Sequence, residues 1–330
     1  MPTVPELLLY AKRVLITTHV RPDGDALGST AAMALALKAK GIEAKVLLLS
    51  HLPSKYAFVY TEAGIDFVDV ENGFPADFSL AGYDTLLVID TGTWNQLPGL
   101  QPYVEKFTGQ TLVIDHHLTQ EPWGNARLVE TAAGAAAEIV ASVIEGWGLS
   151  FDPLMGQALY VGIVSDTGWF QFSNTRPVTL QLAAKLLAAG VNADRVYQLL
   201  YQSERPQRLA VQAKAMQTLE MLAGNRVAMM KLRRGDLESA DARTGDSEGL
   251  INIPLQVGSV EVSVLLSEPT PPTPLDGAVR CSFRSKGQLD CSKFASQFGG
   301  GGHARAAGAK IAGTLDEVYA KVKAALLTAV

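Results

Sequence analysis

The segment His19-Val-Arg-Pro-Asp23-Gly-Asp25-Ala-Leu-Gly-Ser29 sets a histidine and two aspartates at i, i+4 and i+6 of one short stretch. Packing does not account for them, because each side chain is expensive to bury without a partner. Pro22 and Gly24 make a turn that can aim the two carboxylates in different directions. Asp25 taken alone also reads as the N-cap of a following helix, a role that leaves His19 and Asp23 unexplained. Further along, Asp90 follows the apolar run TLLVI, Asp115-His116-His117 follows TLVI, and Asp166 follows GIVS. Singly, each is an ordinary turn, cap or structural residue; together they form a set of metal ligands. Mixed imidazole and carboxylate donors suit Mn²⁺, with Mg²⁺ or Co²⁺ as alternatives, better than Ca²⁺ or a thiolate-seeking metal. There are more donors than one ion needs, which points to two divalent cations sharing a carboxylate. Two ions roughly 3.5–4 Å apart can generate a hydroxide and stabilise an in-line phosphoryl displacement.

A second chemical signal is Gly299-Gly-Gly-Gly302-His303-Ala-Arg305-Ala-Ala-Gly308. Four glycines expose backbone N–H groups to close approach by an anion. A flexible linker would explain the glycines, but not the His303 and Arg305 that follow at once. Arg284-Ser285-Lys286, at the end of an expected strand, forms another basic cluster.

Several elements must position these groups. Val14–His19, Ala44–Leu49, Thr85–Asp90 and Thr111–Asp115 read as short buried strands alternating with helical patterns at 25–40, 132–147, 154–165 and 178–189. That alternation predicts an α/β fold with a mainly parallel sheet flanked by helices. In such sheets ligands bind beyond the carboxyl ends of the strands, where His19, Asp90 and Asp115–His117 would lie. A polar helical stretch over 192–221, broken at Pro206, reads as a connector. Shorter strand patterns at 226–232, 257–267 and 277–283, a short helix at 291–298, a Gly-rich turn and a helix at 315–328 predict a smaller α/β domain with a mixed sheet. The Pro-rich stretch 268–277 reads as a hairpin insertion. The expected division is 1–190, a helical connector 191–222, and 223–330.

The 330 residues exceed what one hydrophobic core usually supports. With 48% apolar and 18% charged residues the chain reads as folded throughout. No stretch resembles a signal peptide or a membrane span, so a cytoplasmic protein with no membrane partner is expected. Cys281 and Cys291 are too few for a disulfide framework and read as ordinary thiols. The net charge of −5 argues against a nucleic-acid-coating surface. Residues 1–222 carry 15 Lys/Arg against 22 Asp/Glu, and residues 223–330 carry 13 against 11. An acidic part suited to cations is thus followed by a mildly basic part suited to an anion.

Taken in order, HVRPDGDALGS, LLVIDTG, IDHH, SDTGWF and FRSK…FGGGGHARAAG resemble the DHH phosphoesterases with their DHH-associated C-terminal domain. The resemblance spans nearly the whole chain. It implies one metal on His19, Asp23 and Asp90 and the other on Asp25, Asp90, His116 and Asp166, with Asp90 bridging. Asp115 would orient the adjacent histidines, His117 would sit near the scissile phosphate, and a metal-activated hydroxide would attack phosphorus. Arg284, Ser285, Gly301, Gly302, His303 and Arg305 would grip the terminal phosphate or base, and the cleft between the domains would set substrate length. The chain looks like the compact bifunctional type, oligoribonuclease (nanoRNase) and pAp (adenosine 3′,5′-bisphosphate) phosphatase. Its implied partners are short single-stranded RNA or small nucleotides; no obligate protein partner is evident, and a homodimer is left open. A phosphodiesterase of cyclic di-AMP or linear pApA is the alternative within the same chemistry, an inorganic pyrophosphatase a more distant one. A non-catalytic nucleotide-binding module is the alternative from another class, and it is opposed by the presence of every ligand position.

Overall fold

The fold is that of a computed structural model, which describes residues 2–270, 273 and 276–330. It divides into two compact units, Met1–Ser203 and Glu204–Val330. The division falls inside the stretch read as a connector.

The first unit runs α1 (Val4–Tyr10), β1 (Arg13–Thr17), α2 (Gly24–Ala39), β2 (Glu43–Leu48), α3 (Ala57–Ala63), β3 (Phe67–Asp69), β4 (Thr85–Ile89), α4 (Gln101–Val104), β5 (Gln110–Asp115), β6 (Ala126–Val129), α5 (Ala136–Gly146), α6 (Pro153–Asp166), α7 (Pro177–Ala188) and α8 (Ala193–Tyr201). Its six strands are all parallel, in the order β3-β2-β1-β4-β5-β6. The strands reverse their direction of spread between β1 and β4, and that is where such sheets open a ligand crevice. Side chains of the central strands alternate between two cores. Val14, Ile16, Leu87, Ile89, Leu112 and Ile114 join the main helices on one face, while Leu15, Leu86, Val88 and Val113 join Leu97, Leu100 and partly buried aromatics on the other. Burial on both faces explains why the strands read as unbroken apolar runs.

Helix α2 is almost wholly buried and rich in small residues. Its crossing with α6 is close: a Cβ on Gly28 would lie 2.2 Å from the Ala158 carbonyl oxygen, and one on Gly162 would lie 2.6 Å from Ala137 Cβ and 2.9 Å from Asp25 Oδ1. The missing side chains let the start of α2 and the end of α6 approach, and both ends carry site residues.

The second unit contains α9 (Pro206–Gln217), β7 (Glu220–Leu222), β8 (Val227–Leu232), α10 (Arg234–Ser239), β9 (Val262–Ser267), β10 (Ala278–Ser285), α11 (Cys291–Ser296), β11 (Gly301–His303), β12 (Ala306–Ala312) and α12 (Leu315–Ala329). Its sheet order is β11-β12-β10-β9-β8-β7, with β8 and β9 parallel and the other pairs antiparallel. One face packs on α11 and α12, the other on α9 and α10.

Two expectations change here. The helical stretch over 192–221 is two helices and a strand: α8 ends at Tyr201, Pro206 opens α9 rather than interrupting it, and Glu220–Leu222 pairs with β8. Proline fits the first turn of a helix, where its missing N–H has no partner to lose. The Gly-rich turn contributes a short edge strand, β11. The proposed hairpin insertion at 268–277 lies partly outside the described residues. Cys281 and Cys291 are free and buried, and burial pushes the Cys281 thiol up to about 12.

Candidate metal centre

Beyond the carboxyl ends of three neighbouring strands stand His19, two residues past β1, Asp90, directly past β4, and Asp115, which ends β5 ahead of His116 and His117. Asp90 has a left-handed backbone, φ 67°. Aspartate tolerates that region better than most residues, and here it turns the carboxylate out of the strand line. Asp23 and Asp25 come from the start of α2, and Asp166 from the end of α6. A carboxylate at a helix C-terminus sits at the unfavourable end of the helix dipole, so Asp166 is not placed there for helix stability.

These side chains form two groups that share Asp90. In one, His19 Nε2 lies 3.5 Å from Asp90 Oδ2 and 3.9 Å from Asp23 Oδ1. In the other, His116 Nε2 lies 3.2 Å from Asp166 Oδ2, 3.7 Å from Asp25 Oδ2 and 3.4 Å from Asp90 Oδ1. Within each set of three, His19-Asp23-Asp90 and Asp25-His116-Asp166, one donor atom per residue falls within 4.8 Å of the others. The two oxygens of Asp90 thus face different sets. A further grouping of Asp90, His116 and His117 meets the same distance, but His117 Nδ1 is already held by Asp115 Oδ1 at 2.8 Å.

Backbone groups fix the donors. His19 Nδ1 lies 3.0 Å from the Val20 carbonyl and His116 Nδ1 3.1 Å from the Ala133 carbonyl. A carbonyl only accepts, so each Nδ1 carries the proton and each Nε2 is turned to the carboxylates. Asp25 is fully buried and accepts from Ala136 N (2.5 Å), Ala137 N (2.9 Å) and Ser29 Oγ (3.1 Å), which places it on the N-terminus of α5. The N-cap of α2 is Asp23, through Asp25 N and Ala26 N at 3.0 and 3.1 Å, not Asp25. Asp115, also fully buried, accepts from His116 N and His117 N.

The electrostatics call for cations. Burial raises Asp25 well above the carboxylate range, with Asp90 and Asp166 adding to the rise; burial and Asp90 raise Asp23. Burial alone would lower the two imidazoles, yet Asp90 and Asp23 hold His19 at about 9, and Asp166, Asp90 and Asp25 hold His116 at about 12. Asp90 is lowered, against its own burial, by His116 and His19. Protons therefore occupy the positions cations would take. Asp90 Oδ1 and His116 Nε2 are buried and have no hydrogen-bond partner among the described residues, a costly arrangement unless another species satisfies them. Oxygen and imidazole donors, orphaned atoms and a shared carboxylate all fit a pair of divalent cations.

In the second unit, Arg284 and Ser285 end β10, Gly301, Gly302 and His303 form β11, and Arg305 lies in the turn between β11 and β12. Register brings them to one corner of the sheet: Ala306 faces both Arg284 and His303. Ser285 N donates to the Arg305 carbonyl at 3.1 Å, and an Arg305 guanidinium nitrogen donates to the Lys286 carbonyl at 2.8 Å. Gly301, Gly302, His303 and Arg305 are exposed. Sequence reasoning passed over Gln120, which the fold places against Asp115, and Arg127, which it places against Gln120. No motif marks them; the only available signal was a polar pair close behind the acid-histidine triplet.

A switch-point crevice that gathers four aspartates and two histidines around a shared carboxylate defines a metal-dependent phosphoesterase. Residues 13–163 match the DHH family, N-terminal domain, and residues 224–328 match the DHHA1 domain. The chain is 31% identical over 310 residues to the bifunctional oligoribonuclease and PAP phosphatase NrnA of Thermus thermophilus, covering 94% of this chain and 87% of that one. It is 26% identical to the protein of the same name from Bacillus subtilis, over 90% of this chain and 89% of the relative. Among solved structures, an exopolyphosphatase-related protein from Bacteroides fragilis matches with a TM-score of 0.85 at 23% identity, covering 98% of this chain and 94% of that one. Exonuclease RecJ bound to manganese matches at 0.53 and 14% identity, over 98% and 94%. These two likenesses concern the fold. The chain belongs to the DHH phosphoesterase family.

Proposed function

We propose that this protein hydrolyses short RNA oligonucleotides to mononucleotides and removes the 3′-phosphate of pAp in the cytoplasm, using two divalent cations, Mn²⁺ first among them. The observation that carries the reading is Asp90, whose two buried oxygens face separate sets of donors at 3.5 and 3.4 Å. The relatives named as bifunctional oligoribonucleases and PAP phosphatases supply the substrate class.

His19, Asp23 and Asp90 would hold one cation, and Asp25, Asp90, His116 and Asp166 would hold the other. When bound, such ions lower the pKa of water and neutralise charge on a phosphoryl group. Asp115 accepts the Nδ1 proton of His117 and thereby raises the pKa of the ring, so that the imidazolium, protonated at both nitrogens, would donate from Nε2 to a phosphate oxygen. The side chain of His117 is about half exposed, as a group meeting substrate must be. Arg284, Ser285, Gly301, Gly302, His303 and Arg305 bind the anionic end of the substrate, where guanidinium groups and unobstructed backbone N–H groups suit phosphate. Among the described residues no helix is long and apolar enough to cross a membrane.

The test is turnover by metal-stripped protein with Mn²⁺ restored, on a 5′-phosphorylated RNA dinucleotide, pAp and cyclic di-AMP in parallel. Mononucleotide release from the dinucleotide, with phosphate release from pAp, is the expected result. Preference for cyclic di-AMP would move the protein to second-messenger turnover, and silence on all three would overturn the substrate assignment.

A further inference from the structure

The geometry assigns Gln120 and Arg127 as a positioning pair that holds Asp115, and through it His117, in register for the reaction; this rests on the role proposed for His117. Asp115 Oδ1 is taken by His116 N at 2.8 Å, His117 N at 3.2 Å and His117 Nδ1 at 2.8 Å. Oδ2 receives Gln120 Nε2 at 2.5 Å, and the same amide nitrogen donates to the His117 carbonyl at 2.8 Å. Gln120 Oε1 accepts from the Arg127 guanidinium. Arg127 is anchored in turn by the carbonyls of Glu121 and Trp123, and it lies over the Trp123 ring with its guanidinium carbon 5.7 Å from the centroid.

The chemistry of the partners leaves one orientation for the amide. Guanidinium can only donate, so it takes the oxygen; the Asp115 carboxylate and the His117 carbonyl can only accept, so they take the NH₂. Glutamine is the side chain that meets both demands at this length. Glutamate would set a second carboxylate against buried Asp115, and leucine would leave Oδ2 without its donor. Arg127 lies on β6, opposite Val113 of β5, so the anchor belongs to the sheet that carries the acid-histidine triplet. The loop after Asp90 also leaves room for the amide: a Cβ on Gly92 would lie 2.0 Å from Gln120 Oε1. Gly92 does not have a positive φ, so alanine can take its backbone and act only by displacing Gln120.

The test compares Gln120→Leu, Gly92→Ala, Arg127→Met and Arg127→Lys with wild type. Each is assayed as Mn²⁺-loaded enzyme on whichever of the three substrates wild type turns over. Losing a partner of this kind costs about 10–100-fold in activity. That fall is expected in kcat for Gln120→Leu and Gly92→Ala, with KM and Mn²⁺ affinity within about threefold of wild type and Arg127→Lys recovering part of what Arg127→Met loses. A merely structural role would move melting temperature and KM as well. In Mg²⁺-loaded protein labelled at histidine, the Nδ1 proton of His117 should give a downfield, slowly exchanging resonance that disappears in Gln120→Leu. An unchanged kcat in Gln120→Leu overturns the assignment, as does a loss of Mn²⁺ affinity that matches the loss of kcat. Because the resonance needs no substrate, failure of the substrate reading leaves this inference separately testable.

Discussion

Replacing Asp90 with asparagine separates the charge of the proposed shared ligand from its shape. Asparagine tolerates the left-handed backbone at this position, so the strand end is undisturbed. Each Asp90 oxygen faces an imidazole nitrogen, at 3.5 and 3.4 Å. A unit positive charge at such a distance is favoured by about 5 kcal/mol at an effective dielectric constant of about 20. Asparagine keeps a dipolar oxygen on one side only and places an NH₂ on the other, so a loss of about 2.7 kcal/mol, or about 100-fold in affinity, is expected at each cation position. At a free Mn²⁺ concentration about 100 times the wild-type Kd, two sites stabilise the fold by about 5.4 kcal/mol, whereas the weakened pair contributes about 0.8 kcal/mol. Unfolding entropy of about 2.1 cal/mol/K per residue applied to the first unit, Met1–Ser203, gives about 0.43 kcal/mol/K. Mn²⁺ should therefore raise the melting temperature of wild type by about 13 °C and of Asp90→Asn by about 2 °C. Scanning calorimetry of metal-stripped and Mn²⁺-loaded protein reads this directly. A variant that keeps more than half the wild-type rise would refute a ligand shared by both cations.

The metal-free protein should become less stable as pH rises from about 6.5, the ordinary histidine value, to the value of about 9 at which His19 is held. A pKa raised on folding contributes stability below the unfolded value and loses it as pH climbs through the folded one; His116, Asp23 and Asp25 act in the same direction. Cation binding displaces those protons, so the gap in melting temperature between metal-loaded and metal-free protein should widen over the same range; a constant gap would contradict proton–metal exchange. Gly28→Ala puts a methyl group against the Ala158 carbonyl and should cost about 1–3 kcal/mol, or about 2–7 °C in melting temperature. A crossing loose enough to accept the methyl would leave it unmoved. Arg305→Ala in the second unit should raise KM about tenfold with kcat and Mn²⁺ affinity retained, as steady-state kinetics can separate; a fall in kcat at constant KM would remove Arg305 from substrate binding.

What was legible in the sequence follows from where chemistry interrupts hydrophobicity. TLLVI must be buried on both faces, so the Asp90 that ends it needs a reason, and the same logic holds for Asp115 after TLVI. Three such interruptions on strands of one sheet meet at one edge, and the structure places His19, Asp90 and His116 there. Strand β6, whose four residues are all only half buried, gave no comparable signal, and β11 was hidden among glycines that favour no regular structure. The division of labour between Asp23 and Asp25 was illegible for a different reason. The two residues are chemically identical and two positions apart, and what separates them is the pair of backbone amides at Ala136 and Ala137, which receives one and not the other. Every backbone N–H looks alike in a sequence, so which carboxylate meets a helix N-terminus 111 residues away is decided by the crossing of α2 with α6 and the seating of α5. Gln120 belongs to the same category: its partners are a carboxylate, a carbonyl and a guanidinium brought together by strand order. A sequence read for motifs recovers the groups that the fold gathers at the candidate metal centre. The groups that aim them are recovered only once the fold has chosen which anonymous donors and acceptors stand behind each one.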